Sequence, residues 1–81
     1  MAFDEVFEKV VSLVVDITGE DEIRDEPDLD LFEDDILDSM AAIEVLVAIE
    51  DEFGVRIAPT EFERSEMNTL NKIAARVAER L

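Results

Sequence analysis

Cysteine and histidine are both missing from this chain of 81 residues. Without a thiol there is no disulfide staple, no thiolate metal site and no cysteine nucleophile. Without an imidazole the commonest general base and the commonest metal ligand are gone as well. Tryptophan and tyrosine are also absent, and glycine and proline are limited to Gly19, Gly54, Pro27 and Pro59. Positive charge is the next scarcity: 7 Lys and Arg against 23 Asp and Glu, a formal net charge of -16. A field of that sign repels phosphate backbones and anionic lipid headgroups, so neither nucleic acid nor membrane is an expected partner. It favours partners that carry basic patches. No apolar run reaches transmembrane length, and the start Met1-Ala2-Phe3-Asp4-Glu5 has no basic segment of the kind that opens an export signal. The expectation is a cytoplasmic monomer with no direct membrane insertion.

What is there is enough for one packed domain over residues 1–81, since 48% of the residues are hydrophobic. A chain this short buries only about 60% of its unfolded surface, so the core must be thin. Phe3, Val6, Phe7, Val10, Val11, Val14 and Ile17 recur at spacings of three and four, which predicts a first helix with one apolar stripe. Gly19 sits where a helix C-terminus favours glycine. The acidic stretch Glu20 to Asp35, with Pro27 inside it, reads as a long structured loop pinned by Leu29, Leu31 and Phe32. A second helix is predicted from about Ser39 to Phe53, with Asp38 as N-cap and Gly54 as terminator. Its inner stripe reads as Met40, Ile43, Leu46, Val47 and Phe53, widened by Val45 and Ile49. Thr60 and Glu63 have the spacing of a capping box, predicting a short third helix from about Glu61 to Glu66. The last helix begins near Thr69 and presents Leu70, Ile73, Ala74, Val77 and Leu81 on one face. Arg76 and Arg80 near its end suit the helix dipole. The fold class is therefore all-α: a small four-helix bundle with three longer helices, one short one and a long loop between the first two.

Chemistry concentrates where the second helix begins. Asp38-Ser39-Met40 stands between an upstream Leu31-Phe32 and a downstream Ile43-Glu44-Val45-Leu46, and Glu50-Asp51-Glu52-Phe53-Gly54 closes the segment. This run resembles the Asp-Ser-Leu signature of acyl carrier proteins, and the order of helices and loop resembles theirs over nearly the whole chain. Membership would imply 4'-phosphopantetheine, taken from coenzyme A by a phosphopantetheinyl transferase, attached to Ser39 with Asp38 and Met40 flanking it. The arm's thiol would carry the cargo as a thioester. An adenylating ligase would load it and an acyl-accepting enzyme would unload it, so the chain itself would be no enzyme. A serine at a helix start can equally be an ordinary cap, which is the bland reading of Ser39. Elementary electrostatics suits the other one, because unpaired amides and the positive dipole end favour a phosphodiester. The cofactor would also bring the thiol that this chain lacks.

Within that family the sequence resembles the D-alanyl carrier proteins of teichoic acid alanylation. Met40 follows the serine, and Glu61-Phe62-Glu63-Arg64 with Asn68-Thr69 and Asn71-Lys72-Ile73 is similar to that group's Glu-Phe-x-Arg … Asn-Thr-x-Asn-Lys-Ile. Two positions depart from the pattern: Asp35 stands where glycine is common, and Met67 where tryptophan is expected. A stand-alone acyl or peptidyl carrier of fatty-acid, polyketide or nonribosomal peptide biosynthesis would share the rest. Glu44, Glu50 and Asp51 match second-helix positions that meet basic patches on partner enzymes, although a run of charge is commonly just a solvated face.

Rivals from other classes fare worse on the residues. An EF-hand loop beginning at Asp28 would place Phe32 at position five, Glu33 at the glycine position six and Ser39 at position twelve, so the template fails. A small acidic calcium-binding or interaction module explains the charge but not the conjunction around Ser39. A nucleophilic Ser39 would need a base, and no histidine or neighbouring lysine supplies one.

Overall fold

The computed structural model describes residues 2–61 and 63–81, with Arg64 described by its backbone alone. Four α-helices follow in chain order: α1 (Phe3–Thr18), α2 (Ser39–Phe53), α3 (Arg64–Met67) and α4 (Leu70–Glu79). Short 3-10 turns lie at Asp21–Asp25 and Pro59–Glu61. The all-α bundle expected from the sequence is the fold observed, and no strand occurs among the described residues.

The first helix runs through the middle of the bundle, lying against both α2 and α4. Val6, Val10, Val11 and Val14 point inward and are buried, while Phe7 and Ile17 are half-buried. Valine is a mediocre helix former, so burial of this stripe and not propensity holds the helix. Phe3, expected on the same stripe, is half-exposed and stacks on Phe7 with ring centroids 6.5 Å apart. Gly19 and Gly54 end α1 and α2 at φ of 75° and 69°, and their amides donate to the Val15 and Glu50 carbonyls. Only glycine adopts that left-handed conformation without steric cost, so the two glycines are spent where they are needed.

Three expectations are corrected. The inner face of α2 is Ala42, Val45, Leu46 and Ile49, whereas Met40, Ile43 and Val47 are exposed and Phe53 is half-buried. The helix is apolar most of the way round, so a second i, i+3, i+7 row mimicked the buried one. The third helix starts later and is shorter than expected. Thr60 lies in the 3-10 turn, and Glu63 caps α3 without a side-chain bond, so the expected capping box does not form. Glu61 acts in its place, accepting from the Ala58 amide and from Arg80. Phe62 lies outside the described residues. Leu81 falls beyond the end of α4 and is exposed, not on its buried face.

The long loop is held as expected, and by more than apolar contacts. Leu31 is buried outright, with Leu29 and Phe32 half-buried against the core, and Ile23 is buried within the first 3-10 turn. The Leu31 amide donates to the Asn68 carbonyl at 2.8 Å, and the Asp30 carboxylate accepts from Asn68 Nδ2 at 2.7 Å. Asp30 also accepts from the Phe32 and Glu33 amides, both at 3.0 Å. Asn71 adds two bonds, from its amide to Pro27 O and from Nδ2 to Asp28 Oδ1. Between them these bonds fasten the loop to the start of α4, which Thr69 caps by accepting from the Lys72 amide.

The bond from the Glu33 amide, with lesser help from Asn68, Phe32 and Lys72, holds the Asp30 carboxyl below the usual carboxylate range despite some opposing desolvation. A lowered folded-state pKa means stability that is present above the unfolded value of about 4 and lost as pH falls through the folded one. The stability advantage of wild type over Asp30→Asn should therefore be full at neutral pH and shrink toward zero through the acid range. Urea titrations of both proteins across that range measure it.

Candidate functional site

The start of α2 is placed by a single carbonyl. Leu31 O accepts from the Ile36 amide at 2.9 Å and the Leu37 amide at 3.0 Å, which folds residues 31–37 into a closed turn. Leu31 and Leu37 are both buried, so the turn is anchored at each end. Closing it puts Asp35 at φ 57°, where a side chain is strained. This is the position where the sequence departs from the glycine common in the pattern it resembles, and aspartate is among the residues that tolerate this conformation best.

Beyond Leu37 the chain extends at Asp38, whose carboxylate accepts from the Ala41 amide at 2.8 Å. Its carbonyl takes the Ala42 amide. Ser39 is the first helical residue, and it is exposed. Its hydroxyl makes no hydrogen bond to any described residue. The capping task belongs to Asp38, so Ser39 does no structural work. The remaining first-turn amides, those of Ser39 and Met40, have no intrahelical partner and face the positive end of a fifteen-residue helix. That local environment fits a phosphodiester on the Ser39 oxygen.

Below Ser39 the outer face of α2 is apolar for a surface helix: Met40 is 77% exposed, Ile43 50% and Val47 54%. Glu44 and Asp51 flank this strip on the side toward α1, and Glu50 flanks it on the other; all three are exposed. The structure thus brings Ser39 and the three expected partner-facing acids onto one side of one helix. A groove of about 520 Å³ separates this face from the end of α1, between Ile43, Val47, Ala48 and Asp51 on one side and Asp16 and Ile17 on the other. A smaller one of about 180 Å³ lies on the opposite flank, where Glu50 and Arg56 border Leu46, Ile57 and Pro59.

The scarce cations are mostly engaged elsewhere. Lys9 pairs with Glu52, Arg24 with Asp21, Arg76 with Glu66 and Glu79, and Arg80 with Glu61. Lys72 Nζ donates to Ser65 O. Asp16, Glu44, Glu50 and Asp51 have no ion-pair partner among the described residues. Both lysines are thus engaged with other groups among the described residues. No group of three acids close enough to hold a metal ion occurs among the described residues, and no described helix is long and apolar enough to cross a membrane.

Residues 8–77 match the phosphopantetheine attachment site family. The chain belongs to that family. Its prosthetic group is 4'-phosphopantetheine, and Ser39 lies within the matched span. Among similar proteins is the D-alanyl carrier protein of Lactococcus lactis subsp. cremoris, 47% identical over 90% of this chain and 92% of the relative. D-alanyl carrier protein 2 of Lactiplantibacillus plantarum is 41% identical over 96% of both chains. The D-alanyl carrier protein of Bacillus velezensis is 39% identical over 89% of this chain and 92% of its own length.

Two functional features were missed in the sequence. The exposed strip on α2 was mistaken for core, although Glu50 on one side of Val47 and Asp51 and Glu44 on the other in the helical projection could have marked its true face. The residues Asn68 and Asn71, quoted above only for their resemblance, are what hold the loop that leads into α2. Met67, at the expected tryptophan position, is buried in the core.

Two substitutions separate the local terms. Asp38→Ala removes the cap and should cost about 1 kcal/mol of stability. Asp35→Gly relieves the left-handed strain and should raise stability by up to about 1 kcal/mol, offset in part by glycine's unfolded-state entropy. Chemical denaturation midpoints report both.

Proposed function

We propose that Ser39 is the attachment residue for 4'-phosphopantetheine and that the chain carries D-alanine as a thioester at the end of that arm. The observation that carries this reading is the idle, exposed Ser39 hydroxyl at N1 of α2, with Asp38 performing the cap. In the attachment step the Ser39 oxygen displaces at the phosphorus nearest the pantetheine of coenzyme A. The new O–P bond forms, the bond to the nucleotide breaks, and adenosine 3',5'-bisphosphate leaves. A phosphopantetheinyl transferase supplies the base that takes the serine proton. The bound group contributes a thiol, the chemistry a chain without cysteine cannot offer.

The protein is a carrier and not an enzyme. No histidine or neighbouring lysine is there to activate Ser39, and its partners perform the reactions. An adenylating ligase loads the cargo in the cytoplasm, and a downstream enzyme accepts it for teichoic acid alanylation. The names of the similar proteins support D-alanine over a fatty-acyl or peptidyl cargo. Met40, Ile43 and Val47, ringed by Glu44, Glu50 and Asp51, form the docking face for these enzymes, which meet it with basic residues around an apolar centre. Exposed pairs are worth about 0–1 kcal/mol each, so such docking is weak, fast and weakened by salt. That suits a shuttle visiting several enzymes.

Intact-mass spectrometry after incubation with coenzyme A and a broad-specificity transferase should add one phosphopantetheine to wild type and none to Ser39→Ala. An unmodified, well-folded wild type would sink the proposal. Offering the modified protein to a D-alanine-activating ligase then tests the cargo, where failure to load removes D-alanine and leaves the carrier role standing.

A further inference from the structure

We propose that the arm on Ser39 lies along Ile43 and Val47 and sets an amine-bearing cargo among Glu44, Asp51 and Asp16, so that the α1–α2 groove favours aminoacyl over neutral acyl cargo. This rests on Ser39 being the attachment residue.

The first argument is reach. Ser39, Ile43, Val47 and Asp51 follow at intervals of four, forming a row that drifts around α2 by about 40° per step toward α1. Twelve residues of helix rise about 18 Å between Ser39 and Asp51. The arm has the contour of about five extended residues, roughly 17 Å. Laid along the helix, it ends beside the acids.

The second argument is the surface it would cover. Ile43 and Val47 are half-exposed branched side chains with Ile17 and Ala48 beside them, floor of a groove of about 520 Å³. The arm's paired methyl groups and methylenes are apolar, and covering such a strip removes apolar area from water on both sides. The third argument is charge. Asp16, Glu44 and Asp51 border this groove with no cation among them, while Arg56 lies across the strip in the opposite groove. An ammonium on the cargo meets an uncompensated negative field there. A neutral acyl group gains nothing from it, and a carboxylated one is repelled. Exposed pairs of this kind are weak, so the docked arm releases readily when an enzyme competes for the same face.

The test uses the full chain carrying aminopantetheine on Ser39, capped through a stable amide with either D-alanine or propionate, its isostere without the amine. Intact mass first establishes that the arm is attached; if it is not, the attachment reading falls before any spectrum is taken. Backbone-amide chemical shifts are then compared with the unmodified protein. The D-alanyl form should perturb Val47, Ala48 and Asp51, and across the groove Asp16 and Ile17. The propionyl form should do so at least about twofold less at Asp16 and Asp51. The triple change Asp16→Asn, Glu44→Gln and Asp51→Asn, on exposed positions, should erase that difference while its own spectrum reports an intact fold. Perturbations confined to the first turn of α2 in both loaded forms, or equal for both cargoes, would overturn the proposal.

Discussion

The peptide unit of Leu31 is where the structure is decided. Its amide donates to Asn68 O and its carbonyl accepts from Ile36 and Leu37, so one residue couples the start of α4 to the start of α2. Its buried side chain supplies the apolar weight that those bonds need, since a main-chain bond alone contributes little net stability. Asp30 braces it on one side through the Phe32 and Glu33 amides and Asn68. The consequence is positional: Ser39 stands at a fixed point on the molecule although a long loop precedes it. The strain at Asp35 is the cost of closing that turn.

Charge is distributed by the same logic. Seven basic residues cannot neutralise 23 acids, and those with ion-pair partners mostly serve the periphery. Arg80 ties the end of α4 to Glu61, Arg76 ties α4 to Glu66, and Lys9 ties α1 to Glu52. The Glu61 carboxyl is held below its ordinary value by the Ala58 amide and by Arg80, an anchoring carboxylate like Asp30. Left without ion-pair partners are the acids that border the α2 strip. Screening by salt acts first on such exposed, unpaired charge, so interactions made by this face weaken as salt rises.

The sequence was most legible where a pattern admits one solution. The valine stripe of α1, the terminating glycines Gly19 and Gly54, Asp38 as N-cap and the start of α4 near Thr69 all follow from local rules. The face of α2 was not legible from its apolar residues, because Ala42, Val45, Leu46, Ile49 and Met40, Ile43, Val47 are both good helical rows. Which row is buried depends on what packs against it, and that is tertiary information. The same holds for Thr60 and Glu63, whose spacing suits a capping box that the extended backbone at Glu63 rules out. Asn68 and Asn71 read as motif letters until the loop they hold is seen.

The error over α2 is itself informative about function. A small domain with a thin core has reason to bury Met40, Ile43 and Val47, yet it turns them outward and buries Ala42, the smallest apolar side chain of the row, in their place. Local stability and the exposed face are thus in conflict, and conflicts of this kind concentrate at working surfaces. The apolar strip begins at the residue that nothing else in the fold employs. On the proposed reading this surface meets several enzymes in turn, which calls for apolar area for affinity and unpaired charge for speed and release. The outer face of α2 supplies both directly beneath Ser39.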